Sequence, residues 1–89
     1  MTIVTLCIPK VHNSITINKV EDVFASVDLG KIHTIHFKDV TYNSTPYNMV
    51  FIQFASWHNK MWLEHLNKGN PLKIFYDKPR YWICSLSSY

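Results

Sequence analysis

The chain has 89 residues, of which 47% are hydrophobic and 17% charged, and its formal net charge is +3. This length supports one domain with a modest core, and high apolar content at low net charge excludes an intrinsically disordered chain. The two cysteines exclude a disulfide-dense scaffold, and no apolar run reaches the ~20 residues of a membrane span. Because the apolar start is short and lacks a basic leader, we expect an intracellular protein with no signal peptide and no membrane partner.

The first half of the chain predicts a strand followed by a helix. The run 3–8 is rich in β-branched residues and stops at a proline, which is typical of a strand. A helix then reaches about Val27, with Ser14 or Thr16 as its N-cap. Gly30 is the expected stop of this helix. The apolar residues of the helix follow helical spacing: Val20, Val23, Phe24 and Val27.

Two further strands are predicted on either side of a loop. The first of them runs from 31 to 40, and the broken alternation of its isoleucines predicts a bulge near His33. The segment 41–46 is polar and rich in turn residues, so we expect a loop there. The strand at 47–54 alternates clearly. Its two faces are Val50, Ile52 and Phe54 on one side, and Tyr47, Met49, Phe51 and Gln53 on the other.

The remaining residues predict a second helix, a fourth strand and a tail. Ser56 is a candidate N-cap for a helix that extends to about Lys68 and stops at Gly69. A strand follows at 72–76, and a bend at Pro79 leads into a short strand or a docked extension. The resulting order, β-α-β-β-α-β, is that of the split-βαβ, ferredoxin-like α+β fold.

Over residues 3–77 the chain resembles the RNA recognition motif (RRM). Segments 6–11 and 47–54 stand where that family carries its first-strand and third-strand motifs. Further matching positions are Phe24, Gly30, Ile32, Leu66, Asn67 and Gly69. The resemblance implies an RRM-like domain at 1–77, with a four-stranded antiparallel sheet in the order 4-1-3-2 backed by two helices. A C-terminal extension would follow at 78–89.

A narrower resemblance is to small RRM-like proteins of large DNA viruses of eukaryotes. It rests on the residue patterns at 30–37, 51–57 and 73–82, and it departs from that group at Arg80 and Ile83. This resemblance implies a viral protein that acts in the cytoplasm or nucleus of an infected host cell, but it implies no reaction.

The RRM resemblance implies a nucleic-acid site on the sheet face. The family stacks bases on aromatic side chains of its first and third strands. This chain keeps Phe51 at the central stacking position, whereas Cys7 and Met49 replace the other aromatics. We therefore predict weak binding of single-stranded RNA or DNA. The predicted binding residues are Phe51, Tyr47, Phe75, Lys38, Lys73 and Arg80.

A second interpretation stays open: a protein-interaction or assembly module. The same sheet face would then be covered by a partner, or by the tail through Tyr81, Trp82 and Ile83. A patch formed by Trp57 and Trp62 is another candidate contact surface. Salt separates the two interpretations, because binding to phosphates weakens steeply with salt and apolar contact does not.

No residue pattern predicts catalysis, a cofactor or a metal ion. The chain has only two glycines and therefore no glycine-rich phosphate loop, and its carboxylates form no evident pair. His33, His36 and Cys7 lack the paired spacing of zinc ligands. Cys7 lies between apolar neighbours, which is typical of an inert cysteine. We expect a binding module and not an enzyme.

Overall fold

The computed structural model describes residues 4–87. The elements within this range are β1 (Val4–His12), α1 (Ile17–Val27), β2 (Gly30–Tyr42), β3 (Thr45–Trp57), α2 (Lys60–Asn67), β4 (Leu72–Asp77) and β5 (Arg80–Leu86). The strands form a five-stranded antiparallel sheet in the order β2-β3-β1-β5-β4. The α+β class and the antiparallel sheet are therefore confirmed.

The prediction of four strands is wrong, because most of the expected extension is a fifth strand inside the sheet. β5 pairs with β1, where Ser85 lies opposite Cys7, and with β4 on its other side. β4 is thereby placed at the sheet edge, so the order 4-1-3-2 does not occur. The physical reason is the short turn after Asp77, since strands joined by a short connection pair with each other. The predicted domain boundary after residue 77 falls in this turn.

The β2–β3 hairpin is longer than predicted. The segment 41–46, which was expected to be a loop, extends both strands and leaves a turn of only two residues. Asn43 has φ 49° and Ser44 has φ 65°, as the tight type I′ turn requires. The predicted bulge near His33 is confirmed, because the β2–β3 register shifts between Ile32 and Thr34.

Both helices begin at a side-chain cap. Thr16 Oγ1 accepts the backbone N–H of Lys19 at 3.2 Å, which confirms one of the two predicted caps of α1. In α2, Asn59 is the cap and accepts the N–H of Trp62 at 3.1 Å. The prediction of Ser56 as this cap is wrong, because β3 continues past that residue. No helix within residues 4–87 has the length and apolar character needed to cross a membrane.

The prediction that Gly30 terminates α1 is wrong, because Gly30 is the first residue of β2. Asp28 takes the left-handed conformation at the helix end instead, with φ 48°. Gly30 lies opposite Trp57, and a Cβ atom at Gly30 would lie 2.1 Å from the backbone oxygen of Ser56. Glycine is required here because the two strands approach too closely for any side chain.

The core lies between one face of the sheet and the two helices. Val4, Leu6 and Ile8 of β1 and Val50, Ile52 and Phe54 of β3 are buried, as are Val20, Val23 and Phe24 of α1, whereas Val27 is exposed. Trp82 of β5 is also buried and stacks on Phe24 and Tyr76, with ring centroids 6.4 and 4.5 Å apart. The last strand therefore contributes a central core residue.

Candidate functional site

The sheet face opposite the core, called the outer face below, carries aromatic and basic side chains. Across the central strands, His36 lies opposite Phe51 and Phe51 lies opposite Cys7, so these three residues form one row. Phe51 and Cys7 are half-buried. Strand alternation adds further residues to this face. They are Thr34, Lys38, Tyr42, Tyr47, Met49, Gln53, Lys73, Phe75, Tyr81 and Ile83.

The structure brings most of the predicted binding residues to the outer face. Phe51, Tyr47, Lys38, Lys73 and Phe75 all lie on it, distributed over β2, β3 and β4.

Arg80 is the exception among the predicted binding residues. It is exposed at the start of β5, and strand alternation places it on the side of Trp82, which faces the core. Arg80 therefore does not share a face with the other five residues, and its role in binding stays a prediction.

A cation–aromatic cluster that the sequence analysis missed lies where β1 ends. Lys10 Nζ is 4.6 Å from the ring centroid of Tyr47 and 5.7 Å from that of Tyr42. The two tyrosine rings are 5.9 Å apart, and the Tyr42 hydroxyl donates a hydrogen bond to the carbonyl of Pro9 at 3.0 Å. His12 meets the Tyr47 ring edge-on at 6.3 Å. Lys10, His12, Tyr42 and Tyr47 are called the Lys10 cluster below.

The sequence does not predict the Lys10 cluster, because a proline such as Pro9 typically ends a strand. β1 instead continues through a bulge between Ile8 and Val11, and Val11 is fully buried. After this bulge the odd-numbered Val11 faces the core, and Lys10 and His12 face the outer side. The available signal was the single apolar Val11 between the polar Lys10 and His12.

A second cation–aromatic cluster lies on β4, β5 and the turn between them. Lys73 Nζ is 4.4 Å from the ring centroid of Tyr81, and Lys78 Nζ is 5.9 Å from that of Phe75. The rings of Phe75 and Tyr81 are 5.5 Å apart, and both are exposed. These four residues are called the Lys73 cluster below. Only Lys73 and Phe75 of this cluster were predicted as binding residues.

The open interpretation that the tail covers the outer face does not hold for residues 80–86. They form a strand within the sheet, so Trp82 points into the core while Tyr81 and Ile83 form part of the outer face. The physical reason is alternation, which cannot direct three consecutive residues to the same side.

The predicted patch of Trp57 and Trp62 does not form on a single helix, because the two residues lie on different elements. Trp57 ends β3, packs edge-on against Phe54 at 5.0 Å and donates its indole N–H to the carbonyl of Asn59. Trp62 lies on α2 and is exposed together with Met61. Only Trp62 and Met61 are therefore available as an apolar surface of α2.

A cleft of about 450 Å³ opens on the outer face beside the central strands. It is lined by Thr34, Ile35, His36, Phe51 and Gln53. The Thr34 hydroxyl donates a hydrogen bond to Gln53 Oε1 at 2.8 Å, which orients the amide at the wall of the cleft. The volume lies within the range of small-ligand sites, about 300–1,000 Å³.

The lysines of both clusters have no acidic partner among the described residues. Within residues 4–87 the one short contact between a basic side chain and a carboxylate joins His58 Nδ1 to Asp28 Oδ1 at 3.4 Å, and both residues lie outside the outer face. Lys10, Lys73 and Lys78 therefore keep their full attraction for an external anion such as a phosphate.

The two thiols are poor nucleophiles at neutral pH. Burial raises the pKa of Cys7, and burial together with the nearby Cys7 raises the pKa of Cys84 to about 12. Because the thiolate is the reactive form, both sulfurs are protonated near pH 7. Among the residues that the structure describes, no three potential metal ligands gather in one place.

Comparisons of this chain with protein-family models, with curated proteins and with solved structures gave no match. The candidate site therefore rests on the arrangement of its own side chains.

Proposed function

We propose that this chain is a non-enzymatic, RRM-like module that binds single-stranded nucleic acid weakly on its outer face, with RNA as the first candidate. The observation that supports the proposal is the presence of two cation–aromatic clusters on the same face. Stacking of a base on an aromatic ring contributes about 1–3 kcal/mol, and each ring here has a lysine beside it for the neighbouring phosphate.

The positions of the clusters suit a strand that crosses the sheet. The Lys10 cluster spans β1, β2 and β3, and the Lys73 cluster spans β4, β5 and their turn. Strands in a sheet are about 4.8 Å apart, so five of them span roughly 19 Å. A short oligonucleotide can therefore reach both clusters by crossing β1 and β5, and the cleft on β2 and β3 lies outside this path.

Weak affinity follows from the composition of the face. The central row offers Cys7 beside Phe51, and Met49 follows along β3, so bases meet fewer rings at the centre than at the two clusters. A formal charge of +3 over the whole chain also gives a small long-range attraction.

The test is fluorescence anisotropy of a labelled, mixed-sequence single-stranded RNA, titrated with the protein at low and at physiological salt. Lys10→Gln and Lys73→Gln should each weaken binding several-fold, and each should reduce the salt slope of log K by about 0.7, since each removes one phosphate contact. Lys19→Gln on α1 is the matched control, because this lysine is exposed away from the outer face. Its affinity should equal that of the wild type.

Two results would contradict the proposal. One is the absence of binding at low salt by a protein that circular dichroism shows to be folded. The other is an equal loss in all three lysine variants, which would indicate a response to net charge and no defined site. Either result would favour a protein-interaction module.

A further inference from the structure

A groove of about 470 Å³ follows the outer edge of β4. Leu72 and Ile74 are buried towards the core, whereas Lys73 and Phe75 are exposed on the outer face. These four residues alternate between the two faces of the sheet. A single groove that contacts all of them therefore runs along the edge of β4. β4 is the terminal strand of the sheet, so no strand of the described chain pairs with this edge. This surface is called the β4 groove below.

The far wall of the β4 groove is apolar and comes from the helices. Val27, the last residue of α1, and Leu29, which follows the helix, contribute to this wall, and Trp62 contributes from α2. Val27, Trp62 and Phe75 are all exposed, and Met61 next to Trp62 is 81% exposed. Large apolar side chains are thus concentrated along an edge whose backbone groups have no strand partner, a combination that promotes pairing with another chain.

The rim of the β4 groove is basic. Lys73 and Lys78 line it, and no carboxylate does. A second copy of this chain that paired edge to edge would bring four lysines together, and like charges across a strand pair are destabilising. A segment with carboxylates meets no such repulsion and gains attraction to both lysines.

We propose that the β4 groove is the docking site for an extended, acidic segment of another protein, which adds to the sheet beside β4. Its apolar side chains, at every second position, enter the groove against Val27 and Trp62. Its Asp or Glu side chains, at the alternate positions, face the outer side near Lys73. The backbone supplies affinity through the free edge, and the alternating side chains supply specificity. This role goes beyond the proposed nucleic-acid binding: it shares Lys73 with that site but adds the free edge of β4 and the apolar wall formed by Val27 and Trp62.

The experiment uses two arrays of octapeptides. In the first array, apolar residues alternate with Asp or Glu, and in the second array Lys replaces every acid. The labelled full-length protein should bind members of the acidic array and not their lysine counterparts. For the tightest peptide, amide chemical shifts should change along β4, and N-methylation of alternate peptide bonds should abolish binding because it removes the backbone hydrogen bonds.

Variants test the groove itself. Trp62→Ala should weaken peptide binding at least tenfold, while Ile17→Ala, which removes an exposed apolar side chain on α1 outside the β4 groove, should not change it. If Trp62→Ala perturbs the fold, Lys73→Glu provides a second test. It should weaken binding to the acidic array and create binding to the lysine array.

The peptide and RNA experiments can fail independently. Trp62→Ala should leave RNA affinity unchanged, and Lys10→Gln should leave peptide affinity unchanged. Equal binding to both arrays, binding that survives N-methylation, or shift changes on β2 in place of β4 would overturn the docking proposal. Loss of RNA binding alone would overturn only the nucleic-acid proposal.

Discussion

The two edges of the sheet differ in length and in chemistry. β2 forms one edge with 13 residues, and its bulge at His33 and the exposed Lys31 and Lys38 interrupt any flat apolar surface. β4 forms the other edge with six residues, most of them apolar, and the β4 groove lies along it. Proteins commonly protect sheet edges with lysines and bulges. β2 thus combines a bulge with two exposed lysines, whereas β4 carries Lys73 alone beside an apolar groove, which is why we propose β4 as the edge that receives another chain.

The two edges are also held in different ways. β2 is held by a long ladder with β3, interrupted by the bulge near His33, and by the two-residue turn at Asn43 and Ser44. β4 is held through β5, whose Trp82 lies between the rings of Phe24 and Tyr76. The first edge depends on pairing with β3 and on a tight turn, and the second on pairing with β5 and on the buried side chains of Leu72, Ile74 and Trp82. Four substitutions test this comparison.

Trp82→Ala should give the largest effect. Removal of this buried ring should lower the free energy of unfolding by about 3–5 kcal/mol, because it leaves a cavity between Phe24 and Tyr76. Trp62→Ala is the matched control and should cost less than about 1 kcal/mol, since Trp62 is exposed. Urea denaturation followed by far-UV circular dichroism measures both. Similar losses would show that β5 does not anchor the β4 edge.

Gly30→Ala tests the start of the β2 edge. The added methyl group would overlap the backbone oxygen of Ser56, so we expect a loss of about 1–3 kcal/mol. Gly69→Ala is the control, because that position has φ 86° but open space around it, and it should cost about 1 kcal/mol. Thermal denaturation compares the two. A smaller loss at Gly30 than at Gly69 would contradict the close approach of β2 and β3.

Alkaline pH should lower the free energy of unfolding through the ionisation of Cys84 on β5. Its pKa is raised from 9.0 to about 12 by burial and by the nearby Cys7. The unfolded chain therefore loses this proton at lower pH than the folded one, and the free energy of unfolding falls as pH rises from about 9 towards 12. The slope reaches at most about 1.4 kcal/mol per pH unit.

Cys84→Val isolates the contribution of this thiol. Urea denaturation between about pH 8 and pH 10 should show a shallower decline in this variant than in the wild type. Cys7→Ser should keep most of the decline, because burial is the larger cause of the shift at Cys84. An unchanged decline in Cys84→Val would show that other groups account for the alkaline loss.

Ser44→Gly should give the smallest effect, and it should be stabilising. Ser44 has φ 65°, a conformation that glycine adopts without strain, so we expect a gain of about 0.5–1 kcal/mol. Ser85→Gly in the extended β5 should have the opposite sign, because glycine weakens a strand. Thermal denaturation measures both changes. A loss in Ser44→Gly would contradict the type I′ turn.

Patterns of short range were predictable from the sequence. Strand alternation grouped Val50, Ile52 and Phe54 on one face, which proves to be the core face, and helical spacing identified the buried residues of α1 except Val27. Thr16 was one of two candidate caps. The broken pattern near His33 indicated the bulge. These features follow from the period of two or 3.6 residues, which neighbouring side chains reveal directly.

The candidate site was predictable only in part, because it depends on contacts between distant segments. Phe51, Lys73 and Phe75 were identified by their places on strands, but Lys10 was not, since its contact with Tyr47 needs the bulge in β1. The partners of Lys73 on β5 were assigned to a covering tail. The resemblance to the RRM stays a prediction.

The sequence by itself determined which residues can face the core, because burial of apolar side chains must follow the period of each element. Only the tertiary structure decided where β5 lies in the sheet. The alternation of apolar and polar residues in β5 would allow it to pair with several strands. Its position is set by the stacking of Trp82 on Phe24 and by hydrogen bonding with β1. That placement left β4 at the edge, and it thereby created both the Lys73 cluster and the β4 groove.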